Sequence, residues 1–138
     1  MTSEKTMETT QLVVSRILED AAFIFADSLD PEFRPDQETW DAEGVALSFS
    51  GFARGSLRLW VDHGFAKIVA ANMRGVDVED ERTESMGMDA LREILNIITG
   101  NLLTELYCDK PVFDLGLPVA LDPSQRARDC SLPQTLWL

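Results

Sequence analysis

Glu93 and Asn96 stand three residues apart, and Gly100 follows four residues after the asparagine. On an α-helix, residues three and four apart are neighbours on the surface. The three therefore form a line along one face, which Asp89 extends. At about 100° per residue, Leu91, Ile94, Leu95, Ile98, Leu102 and Leu106 fall on the opposite side. A carboxylate can pair with a cation. A neutral amide accepts and donates hydrogen bonds at once, but it is no strong base. A glycine inside a helix costs about 1 kcal/mol relative to alanine. On an outward face no core packing offsets that cost, and one use of the glycine is to let another molecule approach the backbone closely. Ile97 and Leu103 flank the line at about 60° from its centre, so partial exposure is expected for both. A Glu and an Asn on a wet helix face usually do no more than solvate it. Apolar flanks beside a carboxylate and an amide suit a docking surface better.

The elements that must position this line are legible in outline. Good helix formers without proline run over 88–107, and Lys110-Pro111 ends the run. A first helix is expected over 8–28, where Val13, Ile17, Ala21 and Ile24 recur at helical spacing beside Val14, Leu18, Ala22 and Phe25. Asp30-Pro31 and Arg34-Pro35 break it. Over 43–50, Val45, Leu47 and Phe49 alternate with Ala46, Ser48 and Ser50, the period of a half-buried strand. A turn at 51–55 leads to Leu57, Leu59 and Val61 alternating with Arg58 and Trp60, which makes an antiparallel hairpin. Asp62 suits the cap of a second helix carrying Phe65, Ile68, Val69 and Met73, and Gly75 suits its end. An acidic loop is expected over 77–84. A strand is expected over 112–121, with Pro118 placing it at an edge or bulge, and a short final strand over 131–138. The economical architecture is α+β, an antiparallel sheet with helices packed on it. A chain of 138 residues fits a single domain, with about the first seven residues disordered.

Composition excludes several function classes. Twelve Lys and Arg against 24 Asp and Glu give a net charge of −12, which repels nucleic acid and anionic membrane surfaces. No apolar run approaches the roughly 20 residues of a membrane span. The polar start, 1–10, is no signal peptide. These features predict a cytoplasmic protein. Cys108 and Cys130 make no disulfide scaffold and are expected to be reduced thiols. His63 is the only histidine, without partners at ligand spacing. Asp77, Glu79, Asp80, Glu81 and Glu84 lack the glycine-centred spacing of a calcium loop and are expected to be solvated. Trp40, Trp60 and Trp137 suit core or interface anchors.

The run Glu93-Ile94-Leu95-Asn96-Ile97-Ile98-Thr99-Gly100-Asn101 resembles the E-x-x-N-x-x-x-G-N pattern of the CheX/CheC chemotaxis phosphatases, and it lies on a long helix as in that family. Phe113-Asp114-Leu115-Gly116-Leu117-Pro118-Val119 is similar to the family's following strand, which carries a proline near the same place. The likeness covers about residues 8–121. It implies a CheC-like α+β fold and hydrolysis of the aspartyl-phosphate on a CheY-like response regulator, in chemotaxis or another two-component pathway. By that resemblance Asn96 places the attacking water and Glu93 pairs with a lysine of the regulator. Asp89, Ile97, Gly100 and Leu103 would then contact the partner. The resemblance further implies that the phosphorylated partner supplies Mg2+, that this chain binds no metal or cofactor of its own, and that it forms a homodimer. CheC-type members carry two such helices. Here Glu19 is followed three residues on by Ala22, so one site is expected, as in CheX. Family members usually finish with a strand hairpin, and only 131–138 remains for it here. The alternative is a non-catalytic module on the same fold that binds a signalling partner without turnover.

Overall fold

The computed structural model describes residues 3–26, 41–108, 112–130, 135 and 138. In chain order it contains α1 (Ser3–Ala22), β1 (Ala42–Gly51), β2 (Gly55–Asp62), α2 (His63–Arg74), α3 (Arg82–Tyr107), β3 (Phe113–Leu115), β4 (Val119–Leu121), a 3-10 turn (Pro123–Gln125) and α4 (Arg126–Cys130). The breakers at 30–31, 34–35 and 110–111, together with Trp40, Trp137 and most of the strand expected over 131–138, lie outside the described residues.

The sheet is built around β1, which pairs antiparallel with β2 on one side and with β3 and β4 on the other. In the hairpin Val45 lies opposite Leu59 and Leu47 opposite Leu57. These cross-strand pairs put the apolar residues of both strands on one face. The strand expected over 112–121 is two short strands. Phe49 pairs with Leu115 and Val45 with Ala120. Between them the Gly116 N–H still donates to the Ser48 carbonyl, 2.8 Å away, before Pro118, which has no N–H to offer, interrupts the ladder.

Helix α3 is packed on three sides. Leu91 and Leu95 meet Val45, Leu47 and Val61 of the hairpin and Ala66 of α2. Ile94, Ile98 and Leu102 meet Val13, Ile17 and Leu18 of α1. Ala90 packs with Val69 and Ala70 of α2 and with Ala22. Small residues bring α2 and α3 close together: a methyl group on Gly87 would lie 3.5 Å from the Ala66 methyl. Each large side chain so buried contributes roughly 1.5–3 kcal/mol. What this packing leaves open is the strip that carries Glu93 and Asn96.

Several elements differ from the expectation. α1 begins at Ser3, so residues 3–7 are helical rather than disordered, and the Thr10 hydroxyl donates to the Thr6 carbonyl within the early turns. The helix also stops sooner. Phe23 takes a left-handed φ of 55°, its N–H closes on the Glu19 carbonyl, the single bond of an αL stop, and the Ile24 N–H reaches back to the Leu18 carbonyl. Phe25 therefore leaves the stripe and is exposed, and Ile68 on α2 is exposed as well. α3 starts at Arg82, so the expected acidic loop shortens. The Asp80 carboxylate accepts from the Arg82 N–H at 2.9 Å, and the fully buried Thr83 hydroxyl donates to the Asp80 carbonyl at 2.8 Å. These local bonds start the helix before its apolar stripe begins.

α4 was not expected. Its Asp129 is buried and accepts from the Arg58 guanidinium through both oxygens, each at 3.0 Å, and from the Trp60 indole N–H at 3.0 Å. The two donors lie on β2 and point away from the helices, so the charge-assisted bonds pin α4 to the outer face of the sheet. Trp60 lies over Gly44, where a methyl group would come within 2.5 Å of the ring.

Candidate active site on helix α3

The outward strip of α3 has the composition expected of it. Glu93 and Asn96 are both exposed, one turn apart, while Ile94 and Leu95 between them are buried. The neighbouring polar side chains are occupied by the helix itself. The buried Thr99 hydroxyl donates to the Leu95 carbonyl and the Asn101 amide to the Ile97 carbonyl, each at 2.8 Å. The Asn96 amide has no such bond among the described residues. A methyl group added at Gly100 would meet nothing within 4 Å. No packing among the described residues therefore requires a glycine at that position.

The flanks are asymmetric. Ile97 is half-buried, as expected. Leu103 is buried at 5% exposure, which corrects its place on an exposed flank. On the side where Leu91 and Leu95 meet the sheet, the buried sector extends through Thr99 to Leu103. Of the two flanking residues, Ile97 therefore remains as the partly exposed apolar border of the strip. Asp89 is exposed and accepts from the Arg92 guanidinium at 3.3 Å.

Sequence reasoning missed Arg74. The last residue of α2, it donates to Oε2 of Glu93 at 3.1 Å, with both side chains nearly half exposed. Only the close approach of α2 to α3 brings them together. The sequence signal was the C-terminal cap, where Gly75 takes φ 69° and accepts the turn.

His63 has no partners at ligand spacing in the sequence, and the fold gives it two carboxylates. Its Nδ1 lies 3.1 Å from Glu43 of β1 and its Nε2 2.9 Å from Glu84 of α3, which also lies 3.5 Å from Lys67. The hydrogen bond to Glu43, with that to Glu84, raises the imidazole pKa above its ordinary value against a smaller opposing desolvation. A pKa raised by folding contributes stability in full below the unfolded value of about 6.5 and loses it as pH rises through the folded value. The exposed geometry keeps the contribution below about 1 kcal/mol. The melting-temperature advantage of wild type over His63→Gln should thus shrink as pH is raised from about 6 to about 8. An advantage that grows over that range contradicts the bridge. Among the described residues, no group of three or more His, Cys, Asp or Glu is placed to hold a metal ion. Cys130 is buried, which pushes its thiol pKa up, and Cys108 is exposed at the end of α3. No helix among the described residues is long and apolar enough to cross a membrane.

The model of the chemotaxis phosphatase CheX family matches residues 44–136. Among solved structures, the chain is similar to CheX of Borrelia burgdorferi in a CheX–CheY–BeF3–Mg2+ complex, at 25% identity over 91% of this chain and 80% of that one, with a TM-score of 0.62. It is also similar to CheX of Vibrio vulnificus, at 23% identity over 86% of this chain and 78% of that one, with a TM-score of 0.64. CheX of Desulfovibrio desulfuricans shares 18% identity over 85% of this chain and 77% of that one, again with a TM-score of 0.64. A search of curated proteins gave no match. With the backbone architecture of solved CheX structures and a family match that spans the sheet, α3 and the segment beyond, this chain belongs to the CheX family of chemotaxis phosphatases.

Proposed function

We propose that the chain hydrolyses the aspartyl-phosphate of a CheY-like response regulator, with Asn96 orienting the attacking water and Glu93 pairing with a lysine of the regulator. The observation that carries this reading is an exposed amide without a partner among the described residues, one turn from an exposed carboxylate, beside a helix glycine that faces open space. In the reaction a water oxygen attacks phosphorus and the bond from phosphorus to the aspartyl oxygen breaks. The products are an aspartate and inorganic phosphate. A carboxylate with a pKa near 4 leaves without protonation, so the phosphatase needs no general acid. What remains is to hold a water in line, and an amide that accepts from it suffices. In this reading the Mg2+ belongs to the regulator's phosphorylation pocket. The Borrelia burgdorferi complex, which contains CheY with BeF3 and Mg2+, supports that assignment.

The loss of acyl phosphate from a phosphorylated regulator, followed with and without the chain, tests the proposal. A shortened lifetime is expected. A regulator that binds while its acyl phosphate decays unaided would make the chain a binding module. The same reading puts the chain in the bacterial cytoplasm as a homodimer, and sedimentation of the purified chain at twice the monomer mass is the expected result.

Gly100→Ala separates fold from docking. It should raise stability by about 0.5–1 kcal/mol, because a methyl group meets nothing there and the helix gains a better former. It should also lower kcat/KM by on the order of tenfold, because the methyl holds the regulator off the helix. A variant with unchanged kcat/KM shows that the glycine has no part in docking.

A further inference from the structure

Glu93 does not wait free for a partner. Its Oε2 is held by Arg74, and its Oε1 has no partner among the described residues. Arg74 is itself well placed to act as a support. It ends α2 directly before the left-handed Gly75, and the Val76 N–H closes the turn on the Ala71 carbonyl. Two residues back the Asn72 amide donates to the Ala22 carbonyl at 2.7 Å, while Ala70 and Ala71 are buried. The helix end that carries the guanidinium is thus tied to α1 and packed against α3. The long side chain of a free glutamate loses rotamer freedom when it docks on a cation. An ion pair that uses one oxygen restrains the side chain beforehand and leaves the other oxygen for a second cation.

We propose that Arg74 is a positioning residue for docking, one that presents the Glu93 carboxylate to the lysine of the incoming regulator. This rests on the reading of Glu93 as the lysine's partner. It goes further in assigning a role to a residue on a different helix, outside the E-x-x-N pattern. The pair also offsets one negative charge at a face that must meet an acyl phosphate, on a chain of net charge −12.

The test titrates the chain into a CheY-like regulator loaded with BeF3 and Mg2+, which reads docking without turnover, and measures hydrolysis of the phosphorylated regulator in parallel. Arg74→Ala should weaken docking about threefold, the size expected of an exposed ion pair, and raise KM by the same factor with kcat unchanged. Arg74→Lys should restore most of the loss. In the Glu93→Gln background, Arg74→Ala should add nothing, because the two residues act through one contact. Docking that is unchanged or tighter in Arg74→Ala overturns the proposal, as does an equal loss in the Glu93→Gln background. Should wild type dock and fail to hydrolyse, the phosphatase reading falls while the Arg74 comparison still stands on its docking constants.

Discussion

Asn96→Ala should lower kcat for aspartyl-phosphate hydrolysis on the order of 10²-fold, equivalent to about 2.7 kcal/mol of transition-state stabilisation, and leave KM nearly unchanged. The direction follows from where the side chain stands. It is exposed and bonds to nothing in the described fold, so its removal leaves no buried group unsatisfied. Alanine is also the better helix former, by roughly half a kcal/mol, so the variant should melt at or above the wild-type temperature. Loss of activity then cannot be assigned to unfolding. Docking should persist, because Glu93, Gly100 and Ile97 are intact in the variant. A loss confined to kcat marks an interaction made in the transition state only. The check is a saturation curve of phosphate release against phosphorylated regulator for both proteins. A variant as active as wild type would remove Asn96 from the chemistry.

Ile94→Ala makes the complementary case from the other side of the same helix. Ile94 is fully buried and packs α3 against Val13, Ile17 and Leu18 of α1. Removing it leaves a cavity and should cost about 2–5 kcal/mol, a large share of the 5–15 kcal/mol typical of a whole domain. Urea denaturation should show a lower midpoint with an unchanged slope. At temperatures where the variant is folded, kcat/KM per folded molecule should stay close to wild type, since Glu93 and Asn96 face the other way. A loss of stability below about 1 kcal/mol would mean that α1 does not pack on α3 as described.

The contrast between these variants shows how much of the site was legible in the sequence. The polar line of α3 and its apolar back could be read from a period of 3.6 alone, because helix geometry fixes which residues share a face. The hairpin and its inward residues followed from alternation in the same way. Leu103 was misjudged because a helical wheel gives direction and not the extent of what covers it. Phe25 was misjudged for a different reason: Phe23 adopts a left-handed stop without glycine, so no residue type announced the end of α1. The early start of α3 depended on Asp80 and Thr83 bonding to nearby backbone, which no apolar pattern reports. The contacts that sequence reasoning could not supply join residues distant along the chain. Arg74 with Glu93, His63 with Glu43 and Glu84, and Asp129 with Arg58 and Trp60 exist only once the helices and strands have packed.

Catalytic turnover is the property that distinguishes a phosphatase from a binding module on this fold. The direct measurement is phosphate released from a CheY-like regulator, kept phosphorylated by a small-molecule phosphodonor, with this chain present at a small fraction of the regulator concentration. Many phosphates should be released per chain above the regulator's own rate, and Asn96→Ala should cut that excess on the order of 10²-fold. Release that stays at the regulator's own rate, even with the chain equimolar, would contradict the phosphatase reading.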